Sequence, residues 1–443
     1  MKPLSRRALL HTSLFGAGYV GLRALATGIP ASVLLNPLRA NAEEVCNATK
    51  PQYIVFSTSG AGDPSGCNVP GTYADPRMTH PPGADFQPVD FALGDTAVRA
   101  ARIWSTLPAS LLQRTCFFHH STLTGSHSDH PKVNRVQGAV RRQEMLISLL
   151  AANLAPCLHT VQSEPIMLSR TANITSQGAT LPFVAPSALK TVLAAPTDVF
   201  AKLQKLRDDD LDQLNALYKQ SGTAAQRGIL DRYALSQTQV RSLSTQLLND
   251  LATIQDGDDG QTSVNTAAAV LLKMNAAPVV VMELFFGGDN HVDAGLADEI
   301  KGHTESIAAI ADLYKRLAAY GMQDSVTFAM QNVFGRTFVS GDKGPASNGR
   351  THHGEHHCSV FIGAGFRGSV IGNLVQMPSD LGGIDFRANA IDSQTGAGAE
   401  SGDIKYEDTL ASAAKTLATG VGLNASVVDD QITHGQTIKA ALA

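Results

Sequence analysis

Histidine is the residue type in this chain whose placement points to chemistry. Of 14 histidines, eight fall in two groups: His119, His120, His127 and His130, then His352, His353, His356 and His357. Asp63 stands in the glycine-rich segment SGAGDPSG, and Asp289 and His291 stand together in GGDNH. Neutral imidazoles and carboxylates are the donors that zinc and other divalent transition metals take. One histidine alone is more often a satisfied polar loop residue. Eight in two groups, with carboxylates beside them, predict a shared metal or anion site.

Short apolar runs must position these residues. Tyr53 to Thr58 (YIVFST), Thr115 to Phe118 (TCFF), Pro278 to Phe286 (PVVVMELFF), Ser325 to Met330 (SVTFAM) and Cys358 to Ile362 (CSVFI) read as buried strands. Each is expected to end in a loop rich in Gly, His or Asp, with both histidine groups following strands. In doubly wound sheets chemistry collects at the carboxyl ends of strands. Glu305 to Tyr320 carries Ile307, Ile310, Leu313, Tyr314 and Leu317 at helical spacing, and Gly321 is a natural C-terminal cap. Residues 196–256 show no strand signal and read as a helical insertion or subdomain, in which Asp208, Asp209 and Asp210 read as a solvated face or a helix N-terminus rather than a metal site. The segment DGDDG at 256–260 lacks the 12-residue calcium-loop pattern and reads as a plain loop.

The N-terminus reads as a targeting segment. Arg6 and Arg7 precede a modestly apolar stretch, and Ala40-Asn41-Ala42 is a cleavage pattern. Residues 1–42 are therefore expected to be a twin-arginine signal peptide, with the Tat translocase as partner during export and residues 43–443 forming one domain, periplasmic or secreted. No later run is apolar enough to predict a stable membrane span. Removing residues 1–42 takes away five positive charges and no acid, so the net charge falls from −4 to −9. An acidic body without a basic run argues against nucleic acid as a partner. The five cysteines show no C-x-x-C signature; Cys46 and Cys67 flank the first strand and are candidates for a disulfide.

The order of motifs carries a resemblance. PVVVMELFFGGDNH, then AAYGMQDSVTFAMQNVFGRT, then NGRTHHGEHHCSVFIGAGFRGSVIG resemble the Tat-exported "domain of unknown function 1501" family of the alkaline phosphatase and sulfatase superfamily. That family has a strand ending in GGWDTH, a strand ending in SEFGRT, and GTDHG or GRDHW before a further strand. SGAGDPSGCNVP is similar to its N-terminal loop, and YEDTLASAAKTLATGVGL to its terminal helix. The resemblance covers most of residues 43–443 and is weak through about 135–270. It implies an α/β fold: a three-layer α/β/α sandwich around a mostly parallel, alkaline phosphatase-like sheet with a helical insertion. It also implies metal ligation by Asp63, Asp289, His291 and His353 (or His352), with Arg336 clamping an anionic oxygen. The nucleophile has no clear match; Ser121 and Thr122 follow the second strand, with Ser126 and Ser128 in its loop. A hydroxyl so placed can attack phosphorus or sulfur when a metal lowers its pKa.

Departures from the family pattern bear on the metal. Val333 stands at the acidic position of SEFGRT, Thr351 or His352 replaces the aspartate of DHG, and Gly288 replaces the tryptophan. Two carboxylates are lost, and the added histidines point to a nitrogen-rich site suited to zinc or copper rather than magnesium. Two functions follow. One is an exported metal-dependent hydrolase of small anionic phosphate or sulfate esters. The other is a catalytically degenerate relative that binds a metal or ligand, or serves assembly in the periplasm.

Overall fold

A computed structural model describes residues 51–193, 245–340, 348–378 and 384–443, with isolated residues between 213 and 227. The expected signal peptide and most of the expected helical insertion lie outside the described residues.

Among the described residues the chain is α/β, with seven strands in one central sheet: β1 (Tyr53–Ser57), β2 (Thr115–His120), β3 (Ile166–Met167), β4 (Val279–Met282), β5 (Val326–Met330), β6 (His357–Ile362) and β7 (Ser369–Ile371). Their order is β7-β2-β6-β5-β1-β4-β3. The sheet is mostly parallel. β1 pairs parallel with both β4 and β5, β3 with β4, and β7 with β2. Only β6 runs against its neighbours, pairing antiparallel with β2 and β5.

That reversal decides how the second histidine group reaches the sheet. The second histidine group follows β5 in the chain but leads directly into β6, of which His357 is the first residue. Because β6 runs backwards, its N-terminal end lies at the carboxyl edge of the others, and His357 pairs with His120 at the end of β2. Both histidine groups therefore reach one edge of the sheet by opposite routes.

Alternation along the strands makes two apolar layers, since successive side chains point to opposite faces. Val55, Phe117, Val280, Phe328 and Val360 pack on one face with α2 (Gln261–Lys273) and α3 (Ala297–Ala319). Ile54, Phe56, Phe118, Val281 and Phe361 pack on the other with α1 (Leu146–Leu158) and α4 (Thr409–Gly420). The strands are buried on both faces, which explains their near-continuous apolar runs. No helix of the described residues is long and apolar enough to cross a membrane.

α3 begins eight residues before the periodic stretch that announces it. Its first turn is capped by Asp293, whose carboxylate accepts from the backbone nitrogens of Ala297, Asp298 and Glu299. At its other end Gly321 adopts φ +67°, as a C-terminal cap requires. Gly302 of α3 lies against the Gly287 backbone, where a Cβ would collide. The helix thereby presses on the loop that carries Asp289 and His291. Cys67 is a buried free thiol, so its candidate pairing with Cys46 does not form; its Sγ donates instead to the Arg336 carbonyl at 3.4 Å. Cys46 lies outside the described residues.

Candidate metal centre

The loop after β1 is a scaffold of backbone carbonyls. Gly60 accepts from Nδ1 of His127 at 2.7 Å, and Ala61 accepts from Nη2 of Arg336 at 2.7 Å. Gly62, at φ +71°, lies against the Phe334 ring in space that a Cβ would fill. A carbonyl can only accept, so Nδ1 of His127 carries the proton and Nε2 keeps its lone pair.

Four side chains converge above this scaffold. His127 comes from the loop after β2, Asp289 and His291 from the loop after β4, and His352 from the segment before β6. One ligand atom from each lies within 4.8 Å of all the others. Nε2 of His291 is 2.7 Å from Nε2 of His352 and 3.3 Å from Oδ1 of Asp289. Nε2 of His127 is 3.9 Å from Oδ2 of Asp289. Tetrahedral zinc sites with bonds of ~2.0–2.1 Å hold their donor atoms about 3.3 Å apart. Three imidazoles and a carboxylate this close together could hold a metal ion.

The surroundings keep these donors available. Burial, followed by Arg336, His291 and His127, pushes His352 down to about 4. Its ring is then neutral near pH 7, the state in which imidazole binds metal. The Phe334 ring forms the floor, with centroids 4.5 Å from His352 and 5.0 Å from His127. Asp289 stays half-exposed, so the cluster opens to solvent on one side.

Arg336 lies directly beneath, its side chain fully buried. Nη2 donates to Oδ1 of Asp289 at 3.1 Å, and Nη1 is 3.3 Å from Nε2 of His291. Burial pulls the Arg336 pKa down, opposed by the charge and hydrogen bond of Asp289. A guanidinium remains charged in such a place. Arg336 pairs in a two-residue antiparallel ladder with His352, which sets both side chains by backbone register.

A second tier braces the loop of Asp289 and His291. Arg350 and Glu299 form a fully buried ion pair, Nε to Oε2 at 2.7 Å and Nη2 to Oε1 at 3.1 Å. Asn290, between the two candidate ligands, donates to Oε2 of Glu299 at 3.1 Å. The backbone nitrogens of Gly349 and Arg350 donate to the carbonyls of His291 and Asn290. Gly349 is required here, because a Cβ would collide with the Asn290 carbonyl.

The residues singled out from sequence thus divide. Asp289, His291, His352 and Arg336 come together, joined by His127. Asp63 lies apart from the four: it accepts from the Ser65 nitrogen at 2.7 Å, faces Nε2 of His357 at 3.2 Å and contacts Asn332. Burial raises the Asp63 pKa, but His357 and the hydrogen bonds from His357, Ser65 and Asn332 outweigh it and hold the carboxyl below its ordinary range. His353 donates from Nε2 to the Phe386 carbonyl at 2.6 Å, with Asp385 at 3.7 Å on its other nitrogen. Ser121 Oγ donates to the Gly354 carbonyl at 2.9 Å, lies 3.0 Å from the Tyr406 hydroxyl and accepts from the Leu123 nitrogen. Val333 is buried in the apolar layer of α1 and α4 and takes no part.

His119, His120 and His356 are fully buried rather than part of the cluster. His119 donates from Nε2 to the Pro70 carbonyl at 3.0 Å, and its Nδ1 lies 2.9 Å from Nε2 of His356. Nothing in the sequence separates these from His127, since each ring's role depends on which carbonyl it meets. Glu299 and Arg350 also escape sequence reading, lying in a helix and a loop that give no sign of their pairing. Comparison with protein-family models and with curated proteins finds no match to this chain.

Proposed function

We propose that this chain is an exported, metal-dependent hydrolase with an alkaline phosphatase-like architecture, acting on phosphate or sulfate esters. One observation carries the reading: His127, Asp289, His291 and His352, drawn from three separate segments, offer four ligand atoms within 4.8 Å of one another over a buried arginine. Three nitrogens and one carboxylate oxygen favour zinc over magnesium. A zinc ion there supplies Lewis-acid polarisation of an ester oxygen and activation of an attacking group. The protein's own part is to orient three imidazoles, to keep that of His352 neutral, and to place the Arg336 cation beside the anionic ester. The motif order supports the architecture, and the paired arginines before an A-x-A site support twin-arginine export to the periplasm or beyond.

Two details favour the alternative, a relative that holds a metal without turnover. Four protein donors can close a tetrahedral site, whereas catalytic zinc keeps one position open. Ser121 is committed to Gly354 and Tyr406. Of the four residues that would hold the ion, Asp289 is half-exposed and already shared with Arg336, so it would be the one most open to a substrate.

Elemental analysis of the protein without residues 1–42, purified without a His-tag, tests the site. Near-stoichiometric zinc is expected, lost in the Asp289→Ala/His291→Ala variant. A metal-free protein that also refuses zinc on reconstitution ends the hydrolase reading. With zinc bound, turnover of phosphate or sulfate monoesters separates the hydrolase from the silent relative.

A further inference from the structure

We infer that the centre takes esters of apolar alcohols, with Phe285 as the residue that selects the hydrocarbon part. The inference rests on the hydrolase reading above and names the substrate class of that same site.

Among the described residues four large apolar side chains stand exposed: Leu123, Leu217, Phe285 and Val292. Such side chains scattered singly need no explanation. Three of these are not scattered. Phe285, 53% exposed, stands four positions before Asp289, and Val292, 71% exposed, follows His291 directly. Leu123 stands four positions before His127, and its nitrogen donates to the Gly354 carbonyl at 2.9 Å, two residues beyond His352. All three therefore lie on the two loops that carry His127, Asp289 and His291.

The loop after β4 holds Phe285 outward on a fixed backbone. Leu284 and Phe286, on either side of it, are buried. Phe286 packs against Trp104 and His303 at φ +39°, a conformation rare for a bulky residue. The Gly288 nitrogen donates to the Phe285 carbonyl at 2.7 Å and closes a tight turn. At Gly288, with φ +52°, a Cβ would collide with the Phe285 ring, so the ring covers the backbone immediately before Asp289.

Asp289 is the half-exposed side of the cluster. An ester that reaches the metal there has its alcohol part beside an exposed aromatic ring already held in place. Hydrocarbon laid on that ring gains from leaving water and pays little to order the protein. A polyhydroxylated alcohol in the same position turns hydroxyls towards Phe285 and Val292, which offer them no partner.

The test uses hydrolysis-resistant probes with one anionic head and different hydrocarbon: methylphosphonate, hexylphosphonate and phenylphosphonate. Their binding to the zinc-loaded protein is measured by calorimetry. Hexyl- and phenylphosphonate are expected to bind at least about tenfold more tightly than methylphosphonate. Phe285→Ser should reduce that preference to within about threefold, and Val292→Ser should remove part of it. Equal wild-type affinity for all three overturns the apolar specificity and leaves the hydrolase reading standing. A preference that survives Phe285→Ser in a folded protein overturns the assignment to that ring. Zinc-loaded protein that binds none of the probes overturns the inference in favour of the silent relative, and a protein that refuses zinc ends the hydrolase reading itself. A wild-type dimer made monomeric by Phe285→Ser, seen by sedimentation, overturns the inference by giving the ring to a second copy. The wild-type series needs no variant, so poor folding of a substitution does not obscure it.

Discussion

At the scale of single residues, hydrogen bonding to backbone carbonyls assigns the histidines their roles. His127 gives its Nδ1 proton to Gly60 and keeps Nε2 for the cluster, while His119 gives its Nε2 proton to Pro70 and turns Nδ1 to His356. Both belong to the same group in the sequence, yet they should fail in opposite ways. His127→Ala is expected to weaken zinc binding at least tenfold and to cost under about 1 kcal/mol of stability, since the side chain is 40% exposed. His119→Ala should leave zinc affinity within about twofold and cost about 3 kcal/mol, from the cavity and the orphaned Pro70 carbonyl. Chelator competition and urea denaturation of both variants check the contrast, and loss of zinc in His119→Ala alone would reverse the assignment. Residue type and grouping were legible in the sequence. Which ring nitrogen faces the cluster was not, because that depends on contacts 67 positions apart for His127 and Gly60.

At the scale of elements, apolar runs located five of the seven sheet strands, because strands buried on both faces need little else to be visible. Strand direction was not visible, since a pleated run reads the same either way, and nothing in the sequence shows that β6 runs against its neighbours. The two-residue β3 and three-residue β7 are too short to leave a pattern. Pairing of Pro88–Leu93 with Thr96–Ala101 as a hairpin also went unread, although Gly94 at φ +56° marks its turn. The start of α3 depends on Asp293 rather than on periodicity. Contact between α3 and the Gly287 backbone makes the helix a support for the site. Gly302→Ala should therefore destabilise the fold by about 1–3 kcal/mol through overpacking. It should also weaken zinc binding several-fold by displacing Asp289 and His291. A zinc titration unchanged in a destabilised Gly302→Ala protein would show that the loop holds its shape without the helix.

At the scale of the whole molecule, the ordinary titration range is occupied by buried imidazoles. Burial pushes His119 and His130 each down to about 4, and burial, followed by the charge of His357, takes His120 to about 3. In the unfolded chain these groups take up protons near pH 6.5. Between that pH and their folded values the unfolded state binds more protons, so stability rises with pH. Full stability is thus expected above about pH 6.5, with loss as pH falls towards 4, at roughly 1.4 kcal/mol per pH unit for each such histidine at full effect. Urea midpoints from pH 8 to pH 4.5 measure this; a flat profile would mean that these rings protonate without unfolding the sheet. The same architecture has a consequence in time. β1 lies between β4 and β5, where Val55 pairs with Val280 and with Phe328. β1, the first strand among the described residues, therefore waits for both neighbours until more than two hundred further residues have been made. Such long-range closure is slow compared with local pairing. During that wait an apolar strand and the candidate ligand His127 are both without their final neighbours: a nascent chain has no complete candidate metal centre until translation has passed His352, and no complete sheet until it has passed Ile371.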